Sequence, residues 1–507
     1  MAKAHLAMWF KLGRKVMSAP NPSSVGKIGF IETHGLWTSE QKLAAEDVVR
    51  RLEKEAIKRV RIAWCDQHGI ARGKTLSVPD FILSLKNGMD FQLATLIMDT
   101  TNNPAVKLFG AEGDFGIPEL RGYPDGILVP DPLTYRTLSW TPGTAWVLSE
   151  MYFDNGSPVP LCSRQLFKKV LADLKERGYN YMAGLEVEFY ILRLEDKKLT
   201  PAESGWPPDP PTVSTIAHGF QYLTEIRNDE VDDILVELQE VLTDLGLPLR
   251  TMEDELGPGQ VELTFDPQIG LDAADTMLIF RTAVKQICRR RGLHATFMTK
   301  PGLPNFPSSG WHLHQSLVQR SDDKNAFVNR ENDKDALSEI GSKFVGGILE
   351  NASASSVFST PTVNGYKRFA PLSFAPDRAS WAVENRGALI RVVGGPKDES
   401  SHLENRAGEP CANPYLFMAS QIVAGFDGID RELDPGAPDI NPYEADRRLL
   451  PNSLERALDS LEVEGNIFRA AFGEAFVNYI LSIKRVEVAR YNSFVTDWEH
   501  REYFEVY

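Results

Sequence analysis

The stretch Gly184-Leu185-Glu186-Val187-Glu188-Phe189 carries two acids at alternate positions of an apolar run. Such a run is typical of a β-strand, in which residues i and i+2 share a face, so Glu186 and Glu188 lie side by side. A strand this apolar is expected to be largely buried, where unpaired carboxylates are very costly. A cation between the two like charges removes that cost, and the stretch therefore predicts a metal site on a sheet.

A second acidic stretch, residues 255–262, reads Glu-Leu-Gly-Pro-Gly-Gln-Val-Glu. Glycine and proline favour tight turns, so the central Gly-Pro-Gly could bring Glu255 and Glu262 to the same cavity. A set of carboxylate oxygens with one or two imidazoles suits Mg²⁺ or Mn²⁺ and a phosphate substrate better than it suits a structural zinc ion. The two acidic stretches together indicate a site for divalent cations.

A third stretch, residues 311–316, reads Trp-His-Leu-His-Gln-Ser. The same alternation puts His312, His314 and Ser316 on one face of a strand. A single histidine on a strand is more often structural than functional, but two on one face, followed by a serine, favour a functional site. Either imidazole could bind a metal ion while the other holds a nucleotide.

Four arginines follow in the last third of the chain, at Arg368, Arg386, Arg391 and Arg406. Apolar residues surround Arg391, and a buried guanidinium requires an anion, whose carboxylate or phosphate oxygens its planar fork matches. Arginines that converge with glutamates and a divalent ion imply phosphoryl transfer, in which catalysis is mainly positioning and charge neutralisation. The sequence has no Walker glycine loop, so a nucleotide would be held differently from the way P-loop enzymes hold it.

The net charge, the cysteine spacing and the distribution of apolar residues exclude several classes of protein. The chain has 507 residues and a formal net charge of -15, and this acidic excess argues against a nucleic-acid partner. Its four cysteines are far apart, with no spacing that indicates a zinc cage or a disulfide framework, which fits a reducing cytoplasm. No apolar run of about 18 residues appears, so we do not expect a membrane-crossing segment.

The length predicts two domains of unequal size. Residues 1–37 resemble a flexible leader, residues 38–157 a small mixed domain, and residues 158–507 a larger domain. Helices and strands mix without strict βαβ alternation, which predicts an α+β fold. The proline-rich loop at 200–212 is a candidate lid. In the larger domain the patterns predict helices that begin at Ser163, Asp229 and Asp272, and strands at 181–192, 260–265, 294–299 and 310–318.

These motifs resemble the glutamine synthetase family over essentially the whole chain after the leader. The resemblance rests on the three stretches above and on three further motifs: Pro-Thr-Val-Asn-Gly-Tyr-Lys-Arg at 361–368, Glu-Asn-Arg at 384–386 and Ala-Asn-Pro-Tyr at 412–415. It implies a small N-terminal β-grasp domain and a large catalytic domain, with active sites at subunit interfaces of stacked rings, commonly dodecamers of two hexamers. It also implies that ATP activates the γ-carboxylate of glutamate and that an amine then attacks the acyl phosphate.

The resemblance assigns roles to individual residues, and every residue type is present in this chain. A first metal ion would be held by Glu188, Glu255 and Glu262, and a second by Glu186, His312 and Glu404. His314 and Ser316 would lie by the nucleotide, Arg386 and Arg391 by the phosphates, and Arg368 and Arg406 by the glutamate carboxylate and the transferring phosphoryl group. This completeness favours an active enzyme over a catalytically inactive structural homologue.

Three departures from the family pattern bear on the substrates. The family has a glutamate six residues after the arginine of Tyr-Lys-Arg, where this chain has Phe374. An aspartate of the family's N-terminal domain falls at Gln92, or at Asp90 in another register. An ammonium pocket needs negative charge to capture and deprotonate its cation, so the loss of carboxylates favours a larger or less basic amine. Gly310 lies in a glutamate-contacting loop whose preceding residues also differ from the family.

The sequence therefore predicts a ligase, dependent on ATP and on Mg²⁺ or Mn²⁺, that joins the γ-carboxylate of L-glutamate to an organic amine. An aniline or alkylamine is favoured, because Phe374 and Trp381 could line an apolar pocket. A polyamine is the close alternative and would need acids such as Asp90, Glu112 or Asp377. Glutamine synthesis from ammonia ranks third. We expect a cytoplasmic homo-oligomer.

Overall fold

The computed structural model describes residues 28–107, 110 and 113–507, and the chain divides into two compact units. The first unit contains the described part of Met1–Trp64 together with Ala71–Leu93 and Tyr123–Cys162. The second contains Cys65–Ile70, the described part of Ala94–Gly122, and Ser163–Tyr507. Residues 1–27 of the expected leader, and Glu112, lie outside the described residues.

The first unit is built on a six-stranded sheet of order β2-β1-β6-β4-β3, with β5 paired to β6. Its buried strands β1 and β6 run parallel, and Val60, Ile62 and Val147 are fully buried on them. The β-grasp assignment stays a prediction. In chain order the elements are α1 Phe30–Thr33, α2 Ser39–Lys54, β1 Arg59–Cys65, β2 Ala71–Ser77, α3 Val78–Asn87, β3 Met89–Gln92, β4 Asp125–Pro130, β5 Arg136–Thr137 and β6 Thr144–Tyr152.

The segment before α2 is packed rather than free. Ile31 is 4% exposed in a small apolar cluster with Val129 and Tyr152, and the indole of Trp37 donates to the carbonyl of Pro130 at 3.0 Å. Residues 30–37 therefore pack on the sheet through four apolar side chains, and the flexibility of the leader stays a prediction.

The second unit contains a nine-stranded sheet with helices packed against it. Its main path is β13-β14-β15-β12-β7-β10-β9, and β8 and β11 pair with β7. The elements are α4 Ser163–Glu176, β7 Tyr179–Asp196, β8 Thr212–Thr215, α5 Glu225–Asp244, β9 Leu249–Asp254, β10 Gln260–Ile269, α6 Leu271–Arg290, β11 Leu293–Thr296, β12 Trp311–Gln319, α7 Glu339–Glu350, α8 Ala352–Ser359, β13 Trp381–Val383, β14 Ile390–Val393, β15 His402–Asn405, α9 Pro414–Asp430, α10 Leu454–Glu464, α11 Asn466–Phe472, α12 Glu474–Asn492 and α13 Asp497–Tyr503.

The α+β prediction is confirmed, and the predicted elements of this unit are present with shifted ends. The strand β7 is longer than the predicted 181–192 and pairs with β10 and β12 along its length. Residues 200–211 are almost all exposed, as expected of a loop. Among the described residues no helix is both long and apolar enough to span a bilayer.

Two early segments of the chain are tied into the second unit by buried polar groups. Arg281 of α6 donates to the carbonyl of Gly69 at 2.7 Å and to the carbonyls of Pro410 and Ala412 at 3.0 and 2.8 Å. The hydroxyl of Tyr479 on α12 donates to the carbonyl of Leu96 at 2.5 Å. These bonds explain why residues 65–70 and 94–122 belong with the larger unit.

Candidate active site

Strand register brings the predicted acids and imidazoles onto one face of the nine-stranded sheet. Residues directly opposite one another on paired strands share a face, as do residues i and i+2 of one strand. The opposed pairs are Glu188 with Glu262, Glu262 with Glu253, Glu186 with His312, His314 with Glu404, and Glu404 with Arg391.

Ligand atoms of these residues converge in three groups, within each of which all lie no more than 4.8 Å apart. One group is Glu188, Glu255 and Glu262, which is the set that the resemblance assigns to a first metal ion. The other two share Glu186, one with Glu262 and His312 and the other with His314 and Glu404. The structure thus brings together all six predicted metal ligands, and His314 with them.

The contacts of His312 link the second predicted set. Its Nδ1 lies 2.5 Å from Oε1 of Glu186 and 3.7 Å from Oε1 of Glu404, and the latter side chain is fully buried. The sequence folds this way because β7 and β12 pair antiparallel with Glu186 opposite His312. The three side chains could therefore surround one small cation.

The electrostatics divide the site into two halves. Burial together with Glu188 raises the pKa of Glu255 to about 7, and burial with Glu186 and Glu188 raises the pKa of Glu262 far above its ordinary value. Burial alone would also raise the pKa of Glu186, but His312 and His314 reverse this and lower it. The half around Glu262 therefore lacks positive charge, and a divalent cation fits its carboxylate donors.

Gly310 holds one of these acids in place. Its N–H donates to Oε2 of Glu188 at 2.9 Å, and its carbonyl accepts from the N–H of Glu188 at 3.0 Å. A Cβ at this position would lie 2.4 Å from a terminal nitrogen of Arg368, so only glycine allows the guanidinium to approach. The predicted glutamate-contacting loop therefore lies between a predicted metal ligand and a predicted substrate arginine.

Three of the four predicted arginines lie beside the acids. Arg368 is 6% exposed, burial lowers its pKa to about 10, and it donates to the carbonyls of Arg406 and Gly408 at 2.9 and 3.2 Å. Arg406 pairs with Glu404, and Arg391 also pairs with Glu404, at 3.0 Å. Within the described part of the chain, the Nε atoms of Arg391 and Arg406 are buried and have no hydrogen-bond partner, so these donors remain for a bound anion.

Other predicted residues are placed differently. Arg386 is exposed and forms no ion pair within the part of the chain that the structure describes, and Ser316 is buried on β12, one strand repeat beyond His314. Gln92 lies at the exposed end of β3 in the first unit. The nucleotide and substrate roles of these three residues stay predictions.

The predicted apolar amine pocket stays a prediction. Phe374 is 70% exposed in this single chain, and its backbone has φ 58°. The indole of Trp381 is buried and donates to the carbonyl of Gly436 at 3.2 Å. The carbonyl of Phe374 nevertheless accepts from Arg406 at 3.4 Å, which fixes the turn at the edge of the site.

Two residues of this face were not predicted. Glu253 lies opposite Glu262, and the two carboxyl groups share a hydrogen bond that contributes to the raised pKa of Glu262. His402 contacts His314 at 2.9 Å. Glu253 stands two positions before Glu255, and His402 stands two positions before Glu404. The side-chain alternation that indicated Glu186 and Glu188 could therefore have identified these two residues as well.

Comparisons with known proteins agree with this arrangement. The profile of the glutamine synthetase catalytic domain matches residues 160–503. A γ-glutamylanilide synthase from Acinetobacter sp is 43% identical, over 95% of this chain and 99% of its own length. A glutamate–isopropylamine ligase from Pseudomonas sp is 31% identical, over 90% of this chain and 96% of its own length.

A solved structure described as Apo GmaS without ligand matches with a TM-score of 0.75 and 27% identity, over 90% of this chain and 99% of that chain. The profile match covers well over half of the chain, and its limits include every acid and imidazole of the three ligand groups and the four predicted arginines. Sequence, fold and site geometry thus lead to one assignment: this chain belongs to the glutamine synthetase family.

Proposed function

We propose that this protein is an ATP-dependent ligase that joins the γ-carboxylate of L-glutamate to an organic amine through a γ-glutamyl phosphate. The observation that carries the proposal is the convergence of the six predicted metal ligands and His314, with three arginines beside them, combined with Phe374 where the family has a carboxylate. The two relatives named above are a γ-glutamylanilide synthase and a glutamate–isopropylamine ligase, which supports an amine larger than ammonia.

Two divalent ions, Mg²⁺ or Mn²⁺, fit the donor set. Glu188, Glu255 and Glu262 would hold one, and Glu186, His312 and Glu404 the other. When bound, such ions neutralise charge on phosphoryl and carboxylate oxygens. Burial and the neighbouring carboxylate of Glu188 raise the pKa of Glu255 to about 7, and a divalent cation would offset the repulsion between these groups.

The arginines of the chain supply the anion contacts. We assign Arg368 and Arg406 to the glutamate carboxylate and the transferring phosphoryl group, and Arg391 to the phosphates, because the first two side chains are buried and that of Arg391 is partly buried beside the acids. The unpartnered Nε atoms of Arg391 and Arg406 support this assignment. The exposed Arg386 and the more distant Ser316 keep their nucleotide roles as expectations from the family.

The preferred amine depends on which carboxylates are available to pair with a charged amine. A polyamine needs a carboxylate for its distal ammonium, but Asp377 is already paired with Arg378 at 2.8 and 3.1 Å. Asp90 lies on β3 of the first unit. An aniline is neutral at pH 7 and needs neither a counter-charge nor a strong base, so we favour aniline, then a small alkylamine.

A panel of amines tests the proposal. We expect ATP-dependent phosphate release with L-glutamate to show its highest kcat/KM with aniline or isopropylamine, and mass spectrometry to detect the matching γ-glutamyl amide. The highest kcat/KM with ammonium would refute the choice of an organic amine, and the highest with spermidine would favour the polyamine alternative. Phosphate release with none of the amines would support an inactive structural homologue.

We also propose a cytoplasmic homo-oligomer built as two stacked hexamers. The support for a reducing compartment is that the four cysteines lie far apart in the sequence, with no spacing that indicates a disulfide framework. The support for the oligomer is family membership. Light scattering of the purified chain, with a mass of 56.6 kDa per protomer, distinguishes a dodecamer from smaller assemblies.

A further inference from the structure

Residues 370–376, here named the Phe374 turn, adopt a backbone that side chains rarely allow. Leu372 and Phe374 have φ 60° and 58°, in the left-handed region where a Cβ crowds the following carbonyl. Both side chains are exposed, so apolar burial does not hold the backbone in this conformation. Strain of this kind persists only where the surrounding structure fixes the chain, and it is concentrated at functional sites. The contacts that fix the turn therefore bear on its role.

Two later segments of the chain bind consecutive carbonyls of the Phe374 turn. The hydroxyl of Tyr443 donates to the carbonyl of Ala375 at 3.0 Å, and a terminal nitrogen of Arg406 donates to the carbonyl of Phe374 at 3.4 Å. The bond from Tyr443 is the shorter of these two. It also comes from a side chain with two rotatable bonds, which holds its donor more rigidly than a long arginine does.

The ring of Tyr443 is itself held in place. A Cβ at Gly387 would lie 3.0 Å from Cε2 of the ring, so the glycine allows the ring to pack directly on the backbone. The amide of Asn385 donates to the carbonyl of Ile440 at 3.2 Å, and its oxygen accepts from the N–H of Gly387 at 3.0 Å. The segment that carries Tyr443 is thus bonded to the loop on which its ring rests, and the hydroxyl is a fixed donor for the turn.

The hydroxyl of Tyr443 also lies near the arginines of the site. Burial raises the pKa of this phenol, and so does Asp377, whereas the guanidinium groups of Arg406 and Arg368 oppose the rise. Arg406 and Arg368 are the residues that we assign to the glutamate carboxylate and the transferring phosphoryl group. The hydroxyl that holds the Phe374 turn is therefore within electrostatic reach of the groups that would bind the acyl phosphate.

We propose that Tyr443 is a positioning residue: by holding the Phe374 turn it fixes Phe374 against an aromatic amine and so favours aniline over ammonium. The inference rests on the proposed function and refines it by naming a determinant of the amine preference. Ammonium has no apolar surface to pack against a phenyl ring, so its reaction depends less on where Phe374 lies. Loss of the hydroxyl should therefore affect aniline more than ammonium.

Steady-state phosphate release by the full chain, with L-glutamate and either aniline or ammonium, tests the proposal. We expect Tyr443→Phe to lower the ratio of kcat/KM for aniline to that for ammonium roughly 5- to 10-fold, which is the effect of losing one ordinary hydrogen bond. The KM for aniline should rise, while the KM for ATP stays within about twofold of the wild-type value. Tyr503→Phe is the matched control, since Tyr503 is exposed on α13 and the loss of its hydroxyl should change neither the ratio nor the KM values.

A double variant shows whether Tyr443 acts through Phe374. In a Phe374→Ala background, Tyr443→Phe should change the ratio by less than about twofold, because the two residues share one effect. The full change in that background would overturn the proposal. Equal losses of kcat/KM for aniline and for ammonium in Tyr443→Phe would also overturn it, because a general disturbance of the fold would then be the cause.

Hydrogen exchange separates this inference from the proposed function. Mass spectrometry of the unliganded full chain should show the amides of residues 370–376 exchanging roughly 5- to 10-fold faster in Tyr443→Phe than in wild type, and at the wild-type rate in Tyr503→Phe. Unchanged exchange in Tyr443→Phe would overturn the proposal. Faster exchange supports the hold of Tyr443 on the turn even if no amine releases phosphate, a result that would refute only the ligase.

Discussion

Phe374 stands where the family has a carboxylate, and its side chain is exposed beside the arginine-rich edge of the site. We predict that Phe374→Glu lowers the ratio of kcat/KM for aniline to that for ammonium by roughly 10-fold or more, because a carboxylate attracts ammonium and can accept its proton. Steady-state phosphate release with each amine measures the ratio. The matched control is Leu372→Glu, at another exposed position of the same turn with positive φ, which should leave the ratio near the wild-type value. A ratio that both variants change equally would contradict the prediction.

Glu409 gives the second prediction, on stability. It is 1% exposed, and burial raises its pKa to about 7 although Thr299 and Thr362 donate to it at 2.8 and 2.9 Å. The folded protein thus holds a proton that the unfolded chain releases near pH 4.5. Stability from this proton is complete below pH 4.5, falls as the pH rises and is lost above about pH 7.

The loss amounts to about 3 kcal/mol in the free energy of unfolding, an order-of-magnitude figure. Glu409→Gln keeps the shape and has nothing to titrate, and the two threonine hydroxyls can accept from its amide. We expect its urea midpoint to exceed that of wild type at pH 8 and to vary less between pH 5.5 and 8. Glu240→Gln, on the exposed face of α5, should keep the wild-type pH dependence. The same dependence in Glu409→Gln would contradict the prediction.

Side-chain alternation was enough to predict which residues share a face of a strand, but not which strands lie opposite each other. Glu186 and Glu188 share a face of β7, as the pattern 184–189 predicts. That Glu188 lies opposite Glu262 depends on the register of β7 with β10, which is set by long-range pairing and by the bulge between Phe265 and Gln268. Glu253 and His402 were missed because neither β9 nor β15 was predicted and neither residue belongs to a motif that identifies the family.

The turn between Glu255 and Glu262 gives the third prediction. Gly259 has φ 74°, and a Cβ there would lie 2.5 Å from the carbonyl oxygen of Ile191. Gly292 has nearly the same φ, 73°, but a Cβ there meets nothing within 4 Å. We predict that Gly292→Ala costs about 1 kcal/mol in the free energy of unfolding from backbone strain alone, whereas Gly259→Ala costs roughly 1–3 kcal/mol more.

Denaturant unfolding measures the two costs, and Mn²⁺ calorimetry measures the effect on the site. Gly259→Ala should also weaken Mn²⁺ binding, because the turn that holds Glu255 near Glu262 must move, while Gly292→Ala should bind normally. Equal free energies of unfolding for the two variants would contradict the prediction, because the carbonyl of Ile191 would then have moved away from the new methyl group at little cost.

The acid-rich face links metal binding to the stability of the whole second unit. Repulsion among Glu188, Glu255 and Glu262 opposes folding when no cation is bound, and a cation that binds only the folded state stabilises it. We predict that Mn²⁺ at 100 times its dissociation constant stabilises the wild-type chain by about 2.7 kcal/mol per site. Thermal unfolding with Mn²⁺ and with a chelator measures this effect.

Glu188→Gln should lose most of this Mn²⁺-dependent stabilisation and most of the turnover, because it removes one ligand charge from the first predicted metal site. Glu195→Gln is the control: it changes an exposed acid of the same strand, which accepts from Ser214 at 2.5 Å. An unfolding temperature of the wild type that Mn²⁺ leaves unchanged would contradict both the metal assignment and the cause that we give for the raised pKa values.

The sequence patterns predicted the fold class and most elements between 163 and 318, because hydrophobic period and caps act locally. They did not predict the packing of residues 30–37, nor that residues 65–70 and 94–122 belong with the larger unit, because both depend on partners distant in the sequence. The helices from α7 onward were not predicted either. Buried nearly all round, α9 lacks the polar stripe that amphipathic patterns require.

The hydrogen bonds of Arg281 to Gly69, and of Tyr479 to Leu96, can form only after the later partner of each pair has been synthesised. Gly69 is synthesised 212 residues before its partner Arg281, and Leu96 is synthesised 383 residues before its partner Tyr479. Translation at about 5–20 residues per second makes these delays tens of seconds. A gene fragment that starts at Ser163 would encode a protein without either segment, so the larger unit cannot be obtained intact by cutting the chain in two.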